Sequence, residues 1–138
     1  MSKDKKGQAQ TPTFEDLEAL LRAGKQVVTS TPYIREASIA HELPAHIANE
    51  RFRIVLPQMA DEFEGVAFLI RGDRFPISYI SDKRLPYKPH KDTEDLITRD
   101  RLNKTFTVEE KVVIWPYLWI GGQLAVGTRS KEIKITRP

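Results

Sequence analysis

The chain has 138 residues, 40% hydrophobic and 30% charged, enough for one domain with its own core and too apolar for general disorder. It contains no cysteine, which excludes disulfides and thiolate metal sites. The net charge of +3 sits at the ends: residues 1–11 carry three bases against one acid, and residues 128–138 carry four against one. The body between them is slightly acidic, unlike a uniformly basic nucleic-acid fold.

The opening stretch, MSKDKKGQAQT, has almost no apolar side chain, so residues 1–11 are expected to be a disordered basic tail. One domain then spans 12–138. Thr13 and Asp16 fit a helix-capping pattern, and Phe14, Leu17, Leu20 and Leu21 share one helical face up to the stop at Gly24. That spacing predicts an amphipathic helix over 14–23. Val27 to Thr29 is β-branched and reads as a short strand. Thr31-Pro32 suits a helix start, so a second helix through Ala40 is expected, although its apolar spacing is poor.

From Arg51 the apolar period becomes two, and Phe52, Ile54 and Leu56 mark a half-buried strand. Val66 to Ile70 is the longest apolar run, too short for a membrane span or a secretory leader but suited to a central strand covered on both faces. Gly72-Asp73 lies between that run and the alternation of Phe75, Ile77 and Tyr79, which predicts a hairpin with a two-residue turn. Pro76 places the second strand at an edge. Residues 81–104 read as a polar insertion, with a helix from Asp92 or Thr93 to about Asn103. Lys111 to Ile120 and Gln123 to Thr128 flank Gly121-Gly122 as a second hairpin, and Ile133 and Ile135 mark a last strand. The expected fold is α+β: one domain, mainly antiparallel sheet with hairpins at Gly72-Asp73 and Gly121-Gly122, packed on the N-terminal helix.

Catalytic signals are weak. His41 and His46 flank Glu42 but stand five apart with Pro44 between them, the wrong spacing for a helical zinc site. Glu109-Glu110-Lys111 before an apolar strand has the outline of a metal-dependent nuclease motif, with Asp92, Glu94, Asp95 and Asp100 as further acids. No nucleophile elbow or phosphate-cradling glycine loop occurs. No catalytic residue, metal site or cofactor is assigned.

Two stretches suit binding. Arg71 to Lys91 carries six bases against two acids among aromatics, so Arg71, Arg74, Lys83, Arg84, Tyr87, Lys88 and Lys91 could hold single-stranded nucleic acid. Trp115, Tyr117 and Trp119 would share one face of an extended strand, and Pro116 argues that this strand is at an edge or bulged. Trp119, beside the glycine turn, is the expected exposed anchor for a protein partner. The leading expectation is a small non-enzymatic module (a regulator, inhibitor or accessory subunit) that contacts another protein. A nucleic-acid-binding domain is the alternative, and a metal-dependent nuclease comes third. With no leader or span in sight, a cytoplasmic or intracellular location is expected.

Overall fold

The computed structural model describes residues 14–59, 63–73, 78–80, 85–86, 91–102 and 105–137. The tail at 1–11, the Thr13 cap and the alternation at Phe75 and Ile77 lie outside them. The described chain is mixed helix and sheet, mostly strand, with mainly antiparallel pairing and three helices.

Helix α1 runs Phe14–Arg22, with Glu15 and Asp16 in its first turn and Arg22 in its last, a charge order that suits the helix dipole. The expected strand at 27–29 is an irregular edge instead. Gln26 bridges Val126 in parallel, and Thr29 and Thr128 exchange amide-to-hydroxyl bonds of 3.0 Å each way.

The helix expected up to Ala40 does not form. Strand β1 (Tyr33–Ile34), a turn, and strand β2 (Glu42–Pro44) take its place, followed by the single-turn helix α2 (Ala45–Ala48). Tertiary bonds replace helical ones here. The Arg35 amide donates to the Arg53 carbonyl, and the Glu36 carboxylate accepts from the Arg53 amide (2.8 Å) and guanidinium (3.0 Å).

Strand β3 (Arg51–Leu56) alternates as its sequence predicts, and β4 (Gly65–Gly72) is the continuous apolar strand. Strand β5 (Ser78–Ile80) pairs β4 at the end of its sheet, with Arg71 opposite Ser78. The two-residue turn at Gly72-Asp73 is therefore a misreading. Gly72 is still paired with Val112, and Asp73 continues that ladder through its amide (3.0 Å to the Lys111 carbonyl) and Oδ1 (2.9 Å from the Lys111 amide).

The helix expected from 92 is strand β6 (Thr93–Thr98) with only a terminal turn, α3 (Arg99–Leu102). Strands β7 (Lys111–Ile120) and β8 (Gln123–Val126) form the second hairpin, with Gly121 and Gly122 both at positive φ (58° and 79°) as a primed turn requires. Strand β9 is Ile133–Thr136.

Among the described residues the strands make two sheets: β1-β3-β6, and β2-β9-β7-β4-β5 with β8 also on β7. Phe52, Ile54 and Ile97 of the small sheet meet Phe68, Ile70, Ile114 and Leu118 of the large one in a single core. On the other face of the large sheet, Ala67, Leu69, Tyr117, Trp119 and Val126 cluster with Leu17 of α1.

Pro116 is not at an edge, because β7 is flanked by β4 on one side and by β8 and β9 on the other. Proline is tolerated there because its missing N–H points, like its carbonyl, toward the gap where β8 gives way to β9. In that gap Gly127 donates to the Pro116 carbonyl (2.8 Å), and Ser130 replaces ladder bonds by accepting the Ile114 amide on its hydroxyl (2.9 Å). Gly127 has no room for a side chain: a Cβ would come within 2.9 Å of the Pro116 ring and 2.7 Å of the Thr29 hydroxyl.

Candidate functional site

The aromatic triad does share a face, since the β4–β7 register runs unbroken from Gly65 opposite Trp119 to Gly72 opposite Val112. That face is covered rather than open. Tyr117 is fully buried, Trp119 is only 8% exposed, and Trp115 packs beside them half-buried. The exposure expected of Trp119 is thus corrected: Leu17 and Leu20 of α1 and Leu124 of β8 join the cluster that encloses it. Burial pushes the Tyr117 phenol above its ordinary pKa and the nearby Asp16 charge adds to this, while a hydrogen bond from the Leu17 backbone works the other way.

Of the seven residues assigned to nucleic acid, Arg71 and Lys91 are described, and both are exposed. Arg74, Lys83, Arg84, Tyr87 and Lys88 lie outside the described residues.

The acids of the nuclease outline point to separate tasks. Glu110 is wholly buried against Gly72 and accepts the Thr107 amide (3.2 Å), whereas Glu109 is exposed and pairs with Lys134 (3.2 Å). Asp95 and Glu94 belong to the other sheet, where they pair with Arg101 and Arg35. Among the described residues no three His, Asp or Glu side chains gather as metal ligands.

A groove of about 420 Å³ lies at the seam between the sheets. Its apolar floor comes from Pro32 and Ile34 at β1 and Ile133 at β9, all buried. One wall is the β1–β2 loop from Ala37 to His41, and the other is Ser130-Lys131. Both walls are fixed by bonds to the frame. Ile34 accepts the Ala37 amide (3.1 Å), Ser38 donates to the Glu42 carbonyl (2.9 Å), and His41 accepts the Lys134 amide (2.9 Å). Ser130 is buried and tied to Ile114.

Two large apolar side chains stand exposed on the rim, Ile39 at 98% and Tyr33 at 41%. Single exposed apolar residues are ordinary on any surface. A pair flanking an apolar-floored groove is different, because a partner can desolvate rim and floor together. His41 adds a second departure: it holds φ +61°, a left-handed conformation that a residue with a Cβ adopts at a cost. Its imidazole is exposed on the groove wall.

Sequence alone does not show this groove, because its walls lie about ninety residues apart and each is locally unremarkable. The one local hint is Ile39, the single large apolar side chain between Arg35 and Glu42, where its neighbours are alanines and polar residues. No protein-family model matches the chain, and no curated protein matches it at a significant level.

Proposed function

We propose that the chain is a small non-enzymatic binding module, a regulator, inhibitor or accessory subunit, that contacts another protein through the groove beside β1. The observation that carries this reading is the juxtaposition of Ile39 and Tyr33, exposed on the rim, with the apolar floor of Pro32, Ile34 and Ile133. Rim and floor can be buried together by one partner, and apolar burial of this kind supplies the centre of protein interfaces. The aromatic triad serves this module indirectly, by anchoring the large sheet to α1.

The test compares the tagged full chain with Ile39→Asp in extracts of the native host. Ile39 packs on nothing it must support, so the variant should melt within about 0.5 kcal/mol of the parent. The expected result is a protein that co-purifies with the parent and is lost with Ile39→Asp. Equal recovery by both chains refutes the groove as the contact surface, and recovery of nucleic acid alone points to the basic stretch instead.

A further inference from the structure

We infer that the groove takes an apolar side chain flanked by carboxylates, carried on a segment of a partner protein. The inference rests on the groove being the contact surface and goes on to name the chemistry of what enters it. The first ground is charge. Arg35, His41 and Lys131 all line the groove, and no carboxylate does so among its described lining residues. Arg35 is engaged by Glu94, which leaves Lys131 on one wall and His41 on the other as exposed donors among the lining residues. An acidic group on each side of an inserted apolar side chain meets both, while a basic segment meets like charge. The chain's own first eleven residues are net basic and so do not match the groove's charge.

The second ground is the sheet edge. A free edge beside a groove suggests an added strand, but β1 is two residues long and is preceded by Pro32, which has no N–H to give. The Arg35 amide is already committed to β3, and the Ile34 carbonyl already accepts the Ala37 amide. Little backbone bonding is left for a new strand. Recognition therefore runs through side chains: apolar contact with Tyr33, Ile39 and the floor, an ion pair with Lys131 and a hydrogen bond from the His41 imidazole.

The probes are three capped pentapeptides that differ in chemistry alone: a central leucine between paired glutamates, the same leucine between paired lysines, and a central serine between paired glutamates. Amide chemical shifts of the full chain are followed as each is added. The glutamate–leucine peptide should move Ile34, Ile39, His41 and Lys131 and bind at least about tenfold more tightly than either control. Raising the salt from low to about 0.5 M should weaken it about fivefold, the range of one exposed ion pair.

Lys131→Glu should invert the preference between the glutamate and lysine peptides. His41→Gly should lower affinity while holding or raising the melting temperature, because glycine relieves the positive φ. A purely structural His41 predicts no change in affinity. Equal binding of the three peptides, or shifts confined to other surfaces, overturns the inference. If that happens while Ile39→Asp still loses the native partner, the groove stands as the contact surface and only the acidic chemistry fails. Self-association abolished by Ile39→Asp makes a second copy the occupant and also overturns it.

Discussion

Tyr117 joins the two sides of the aromatic layer, since its phenol lies between the large sheet and the first turn of α1, bonded by the Leu17 backbone. Its position has a consequence at high pH. Burial raises the folded-state pKa above the unfolded value of about 10, so the folded chain keeps a proton that the unfolded chain gives up. The unfolded state then binds fewer protons, and stability falls as pH rises past about 10, by at most about 1.4 kcal/mol per pH unit from this group. Below that pH the contribution is fully present. Tyr117→Phe should cost about 1 kcal/mol at pH 7, the lost hydrogen bond, and should flatten the decline between pH 9 and 11. Urea midpoints of both chains across that range measure it, and a parallel decline would place the alkaline sensitivity elsewhere.

Strand β6 shows where elements were legible in the sequence and where they were not. Its inward face, opposite Leu56, Ile54 and Phe52, is Thr93, Asp95 and Ile97, while Leu96 points outward. Two of three core positions are polar, so alternation fails as a signal, and the adjacent Leu96-Ile97 pair imitates a thin helical face. Asp95 is tolerated because Arg101, in the turn of α3 just beyond, reaches back to it (2.9 Å) and to the Leu96 carbonyl. Removing Arg101 leaves a buried carboxylate without that partner. Arg101→Met should therefore cost about 3 kcal/mol, and Asp95→Leu with Arg101→Met should recover most of it, because a buried ion pair replaced by apolar groups is often neutral. Chemical denaturation of the single and double variants tests this coupling. Elements whose buried positions are apolar announced themselves: β3, β4 and the β7–β8 hairpin all match their sequence patterns. The groove did not, because it forms only where β1, its loop and the approach to β9 are brought together by the two sheets.

At the scale of the whole molecule, the large sheet is shared property. Strands β4 and β7 send Phe68, Ile70, Ile114 and Leu118 to the core between the sheets, and Ala67, Leu69, Tyr117 and Trp119 to the layer under α1. Neither core can be lost without stripping a face from the same two strands, which couples the layers into one cooperative unit. The probes for this are already in place. Trp115 and Trp119 are the only tryptophans and both belong to the α1 side, so their emission reports that layer, while far-ultraviolet circular dichroism reports the strands of both sheets. Folded emission should be blue-shifted and protected from quenchers, with Trp119 the more protected of the two. In urea the two signals should share one midpoint and one slope. An emission change that precedes the dichroism change would mean that α1 leaves first and uncovers the aromatic face before the sheets separate, because the buried Leu17 packs that helix on the aromatic cluster.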